Sequence, residues 1–110
     1  MRLPNCHQAV VEIEKLRDYS LNPNHPVGKH KARVFRAALG ITRRDADWLR
    51  ERALEIALRD DATPGAASVF VDKYVIDAVL QYKGPSAMVR FSWMVEFGTE
   101  FPRLTSCYVK

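Results

Sequence analysis

Long apolar runs are missing from this sequence of 110 residues. No stretch approaches the length of a bilayer span, so no transmembrane helix is expected. The opening residues, "MRLPNCHQAV", lack the apolar core of a secretory signal. Cytoplasmic location is the simple expectation, although a module carved from a larger exported protein would look the same. Cysteine is scarce. Cys6 and Cys107 stand near the two ends and make no zinc motif. Free, partly buried thiols are the expectation, with a disulfide tying the termini as the alternative. Histidine is scarcer than the charged residues, and His25 and His30 have no His, Cys or carboxylate partners at ligand spacing, so no metal and no cofactor is expected. Also absent are a Gly-rich phosphate loop, a G-x-S-x-G elbow, a CxxC pair and a dinucleotide fingerprint. Their absence leaves hydride transfer, kinase chemistry and zinc chemistry without support.

What is present is an ordinary globular composition, 47% apolar. The length fits one domain, residues 1–110, large enough to bury a core without disulfides or metal. Seventeen Lys and Arg against thirteen Asp and Glu give a net charge of +4, which suits a polyanion partner such as RNA or DNA.

Patterning divides the chain into a helical front half and a strand-rich back half, an α+β signature. Val10, Ile13, Leu16 and Tyr19 or Leu21 have helical spacing, which predicts a first helix over Val10 to Leu21. "NPNHP" stops it. A second helix is predicted from about Gly28–His30 to Gly40, with Val34, Phe35, Ala38 and Leu39 as its apolar stripe. Thr42 and Asp45 read as a capping box opening a third helix, Arg43 to Arg59. Its inward set is Ala46, Leu49, Ala53, Ile56 and Ala57, with Trp48 flanking. From Ser68 the period changes. "SVFVDKYVIDAVLQY" reads as one long or two short strands, "YKGPS" as a turn, and "AMVRFSWMVEF" as an alternating strand. Val89, Phe91, Trp93, Val95 and Phe97 share one face of it, and Arg90 and Ser92 share the other. A last strand, "RLTSCYVK", places Thr105, Cys107 and Val109 opposite Leu104, Ser106 and Tyr108. The expected fold is three N-terminal helices packed on an antiparallel sheet of three to four strands.

The candidate chemistry lies where "GKHK" opens the second helix. Lys31 stands four residues before Phe35 and is aimed towards the sheet. His30, four before Val34, falls at the edge of the stripe, and Arg33 points away. A helix start carries free N–H groups and a positive dipole end, and histidine can move a proton near neutral pH. Arg90 can hold a phosphate through paired hydrogen bonds, and a hydroxyl of Thr105 or Ser106 can bond a phosphate oxygen. Asp77 reads as a salt-bridge partner for one of the basic residues. Glu12, Glu14 and Asp18 read as a solvated face, and Tyr108 also reads as a core aromatic with its hydroxyl at the rim.

The blocks "LNPNHPVGKHKARVF..ALGIT", "KYVIDAVL", "VRFSWMVEFG" and "FPRLTSCYV" resemble a small, largely uncharacterised bacterial domain family, from about Leu3 to Val109. That family is similar to the barnase–EndoU–colicin–RelE group of nuclease toxins in its order of helices and strands, its Lys/His-bearing helix start and its Thr/Ser-x-Tyr-like last strand. The resemblance implies metal-independent RNA cleavage, in which the ribose 2′-hydroxyl attacks the adjacent phosphate. It casts His30 as base or acid, Lys29, Lys31 and Arg90 as charge stabilisers, Thr105 or Ser106 as phosphate-positioning, and Tyr108 near the base. His25 is the nearest counterpart of a second catalytic histidine. An acidic antitoxin or immunity protein is the implied partner.

Three readings compete: an RNase toxin, a non-enzymatic module that binds RNA or protein through the basic helix start, and a structural or adaptor domain. The first requires His30 and Lys31 to meet Arg90 and the last strand in one cleft. The second needs only an exposed basic patch. The third expects the Arg90 and Ser92 face to be covered.

Overall fold

The computed structural model describes residues 1–66 and 68–110. Helix α1, Ile13–Lys15, passes directly into a π-helical segment, Leu16–Ser20. This is shorter than the helix expected from Val10, because Val10 is engaged with the sheet. Its N–H donates to the Pro102 carbonyl at 2.8 Å, and its carbonyl accepts from the Leu104 N–H at 3.0 Å. The π turn also shifts the inward set. Val11, Leu16, Ser20 and Leu21 are buried, whereas Val10 and Ile13 are only half-buried.

Helix α2, Lys29–Leu39, begins and ends where the sequence places it. Gly40 stops it in the left-handed region, φ 72°, with its N–H bonded to the Arg36 carbonyl at 3.0 Å. Only glycine adopts that conformation at little cost. The stripe is rotated from the one expected. Ala32, Phe35 and Leu39 are buried, and Val34 is 43% exposed. Each helical residue turns the chain by about 100°, so a face centred on Phe35 carries its neighbour Val34 out to solvent. Removing a buried phenylalanine side chain typically costs about 3–5 kcal/mol. Phe35 is therefore a main anchor of α2 on the sheet.

Thr42 and Asp45 do form a cap: the Thr42 N–H donates to Asp45 Oδ2 at 2.8 Å. A 3₁₀ turn, Arg43–Asp45, leads into α3, Ala46–Arg59, whose Ala46, Leu49, Ala53, Ile56 and Ala57 are all buried as expected. Trp48 flanks that face and meets Tyr82 edge-on, with ring centroids 4.7 Å apart. The Tyr82 hydroxyl donates to Asp45 Oδ1 at 2.8 Å, linking the end of the long hairpin to the head of α3.

The sheet is antiparallel with order β1-β2-β3-β4, from β1 (Thr63–Pro64) through β2 (Val71–Gln81) and β3 (Ser86–Glu96) to β4 (Arg103–Val109). The first of these was not foreseen; its two residues include a proline, which leaves little pattern to read. The valine-rich run after Ser68 is one long strand. Val89, Phe91 and Trp93 face the helices and are fully buried, but Phe97 is 87% exposed because β3 has already ended at Glu96. In β4 the simple alternation fails. Ser92 faces Ser106 and Trp93 faces Leu104, so Thr105 is an extra residue in a β-bulge. The extra residue returns Leu104 to the same buried face as Cys107, where alternation set them opposite. Ser106 and Tyr108 then fall on the outer face with Ser92 and Arg90. The protein is thus an α+β domain with its helices mostly N-terminal, and one buried cluster joins helices to sheet. Both cysteines are free, Cys6 half-buried and Cys107 buried. Among the described residues no helix is long and apolar enough to cross a membrane.

Candidate phosphate-handling site

The approach to α2 is built by a histidine. His25 Nδ1 accepts the N–H groups of Val27 at 3.0 Å and Gly28 at 2.9 Å, and the His25 carbonyl accepts the Lys29 N–H at 3.0 Å. His25 therefore holds the turn that leads into α2 through Nδ1. Its ring also meets Tyr19 edge-on at 4.8 Å. Gly28 lies against the Tyr19 carbonyl so closely that any Cβ would collide with backbone. The two contacts fix the first turn of α2 on the π segment.

That docking aims Lys31. It is half-buried, and its ammonium donates to the Tyr19 hydroxyl at 3.2 Å. The same group lies 4.7 Å from the centre of the Tyr19 ring and 5.8 Å from that of Tyr108, within cation–π range of both. His30 is exposed beside it. His30, Lys31, Val34, Tyr108 and Val109 border a shallow hollow of about 270 Å³ at the edge of β4.

Arg90 faces Tyr108 across the β3–β4 ladder and Asp77 across the β2–β3 ladder. Its guanidinium grips Asp77 through Nε at 2.8 Å and a second nitrogen at 2.9 Å. Lys110 reaches the same carboxylate at 3.1 Å. The Arg90 hydrogen bonds hold the Asp77 carboxyl down at about 2, against partial desolvation and with help from Lys110. In return Asp77 raises the Arg90 guanidinium above its ordinary range; burial opposes this, and the Tyr108 hydroxyl adds to it. The salt-bridge role read for Asp77 is present, with Arg90 as its principal partner.

The structure brings His30, Lys31 and Tyr108 together; Arg90 is the ladder neighbour of Tyr108 but lines a different hollow, with Asp61, Thr63 and Asp77. Nor does the structure bring the hydroxyls to His30 and Lys31. Ser92, Thr105 and Ser106 line a separate hollow of about 350 Å³ further along the outer face, beside Lys73. The Thr105 hydroxyl is occupied, donating to the Ser92 carbonyl at 3.1 Å. Lys29 and Arg33 lie on the opposite flank of α2 and line another hollow with Arg36, Arg43 and Arg44. Asp18, read as a solvated carboxylate, pairs with Arg17 at 3.0 Å and Arg43 at 2.9 Å. Burial pushes the Cys107 thiol up to about 12, against the smaller influence of Ser20 and Lys31. It is protonated at neutral pH and is no nucleophile.

Tyr19 is the member of the site that sequence reasoning took for a core residue. No local pattern links it to a lysine twelve positions on. Arg36, Arg43 and Arg44 were also missed, although Lys29, Arg33 and Arg36 recur at helical spacing. Among the described residues no group of three or more His, Cys, Asp or Glu side chains is placed to hold a metal ion.

An α+β domain with four-stranded antiparallel sheet, and cations gathered on both flanks of one helix, is the class this geometry defines. Within it, the chain belongs to the family described as Domain of unknown function (DUF6883), whose model matches residues 2–110. No curated protein and no solved structure matches the chain.

Proposed function

We propose that the protein is a metal-independent ribonuclease of the toxin type, resembling the barnase–EndoU–colicin–RelE group, with its centre in the hollow at the edge of β4. The observation that carries this reading is the meeting of His30, Lys31 and Tyr108 in one solvent-open hollow, with the Lys31 ammonium between two tyrosine rings. His30 takes the proton of the ribose 2′-hydroxyl. The 2′-oxygen bonds to phosphorus, the bond to the 5′-oxygen breaks, and the Tyr108 hydroxyl protonates that leaving oxygen. The products are a 2′,3′-cyclic phosphate and a 5′-hydroxyl. Lys31 balances the charge that builds on the phosphoryl oxygens, with Arg90 acting at longer range. An acidic antitoxin or immunity protein would neutralise the enzyme by covering these cations.

A second reading, a module that binds RNA without cutting it, has its own support. Arg90 is already committed to Asp77, and the Ser92, Thr105 and Ser106 hydroxyls line a different hollow. RNA cleavage in the presence of EDTA separates the two. For the ribonuclease, the wild type gives cyclic-phosphate ends, and His30→Ala, Lys31→Ala and Tyr108→Phe each lose roughly 100-fold or more in rate. Wild-type protein that binds RNA and leaves it intact establishes the binding module instead.

A further inference from the structure

Away from the β4 edge, α2 and the turn after it enclose a groove of about 390 Å³. Its rim carries Lys29, Arg33, Arg36, Arg43 and Arg44, all exposed. Among the described residues only Arg43 of these five is paired with a carboxylate, Asp18 at 2.9 Å. Its floor is apolar, formed by the buried Leu21, Ala32 and Ile41. Five cations around one hollow repel each other, and four of them have no carboxylate to offset that. Packing of their stems over that floor, which leaves Leu21, Ala32 and Ile41 almost without exposure, does not require charged heads. An anionic occupant does.

The spacing and the lining say which kind. Lys29, Arg33 and Arg36 lie along one helix flank, and at 1.5 Å of rise per residue the row is about 10 Å long. A row of that length meets successive charges on a chain, not one isolated ion. Guanidinium forks match phosphate oxygens in pairs. No aromatic side chain lines the groove, so it lacks the ring platforms of base-reading sites, and the guanidinium and ammonium groups address the phosphate backbone first. An acidic peptide would satisfy the charges too, but continuity favours a nucleic acid. Lys29 on the groove adjoins His30 and Lys31 on the hollow, within the first turn of α2, so one strand can touch both.

We infer that this groove is an exosite for the phosphate backbone of single-stranded RNA, holding the strand that flanks the hollow without reading its sequence. The inference rests on the RNA reading above but does not need cleavage. The test is fluorescence anisotropy with a labelled single-stranded RNA of about 12 nucleotides, its riboses 2′-O-methylated so that no 2′-attack can occur. Arg33→Gln/Arg36→Gln is compared with wild type across a salt series, with a melting curve to show that the variant is folded. The variant is expected to bind roughly tenfold more weakly, and its slope of log affinity against log salt to fall by about 1.4, about 0.7 for each lost phosphate contact. An unchanged affinity and slope, or no wild-type binding of this RNA, overturns the exosite. So does a loss confined to a labelled poly-glutamate peptide, which would give the groove to an acidic protein segment. On cleavable RNA the variant should show a raised KM. Groove-dependent binding by a wild type that never cleaves would leave the exosite standing and remove the ribonuclease. Cleavage with unaltered KM would do the reverse.

Discussion

At the scale of single residues, the two with most to explain are His25 and Asp77. His25 offers a ring nitrogen where Ser, Asp or Asn would offer an oxygen, and it satisfies two backbone donors. His25→Ala leaves both without a protein partner and should destabilise the fold by about 1 kcal/mol, the order of a lost hydrogen bond in a tight turn. His25→Asn should recover part of that in chemical denaturation. Asp77 is the hub of a three-membered ion cluster with Arg90 and Lys110. Its folded pKa, about 2, is below the ordinary 3.8, so its stabilisation is present above the unfolded value and is lost as pH falls towards 2. The cluster is partly open to water, which screens it. Asp77→Asn should therefore cost on the order of 1 kcal/mol at neutral pH. The gap between wild type and variant in urea titrations should be constant above about pH 5 and close as pH approaches 2. A gap that persists at low pH would show that shape rather than charge made the difference.

At the scale of elements, the controlling joint is the seat of α2 on the π-helical segment. The requirement at Gly28 is not a left-handed backbone, since its φ is −75°. It is space: a side chain would drive into the Tyr19 carbonyl. Backbone cannot swing aside as a flexible side chain can. Gly28→Ala should then lower stability by about 1–3 kcal/mol and shift α2 off Tyr19. The shift has a local readout: the Tyr19 hydroxyl loses the Lys31 ammonium, and its NMR signals move more than those of Tyr82, whose hydroxyl bonds Asp45 at the head of α3. A variant as stable as wild type, with unmoved Tyr19 signals, would show that the π segment has slack. The bulge at Thr105 does for β4 what Gly28 does for α2. One extra residue lets Leu104 and Cys107 both enter the core while Ser106 and Tyr108 face outward beside Arg90.

For the whole molecule, cations concentrated on the two flanks of one helix are an electrostatic cost that folding does not require. With a net charge of +4, removing two of them lowers self-repulsion. Arg33→Gln/Arg36→Gln should thus melt at or slightly above the wild-type temperature, measured at low salt, and the difference should shrink as salt screens the groove. A gain in stability together with a loss of RNA binding is the pattern expected of residues kept for function. A marked loss of stability would instead place these side chains among the packing contacts of the fold.

By itself the sequence determined the α+β class, the ends of α2, the cap and inward face of α3, and the long alternating strands. Each of these follows from a local rule: period 3.6 or 2, a glycine that can take positive φ, a polar side chain that pairs free N–H groups. It also pointed to the head of α2, because "GKHK" combines a helix start with clustered charge. Tertiary structure alone decided which charges share a pocket. Val34 turned outward, Tyr19 came under Lys31, and the Thr105 bulge reset the faces of β4, each through contacts between distant parts of the chain. It also split the ten expected site residues among separate places. Side chains one residue apart on a helix diverge by about 100°, so Lys29 and His30 serve opposite flanks of α2, and only packing against β4 and the turn after Gly40 gives each flank its neighbours.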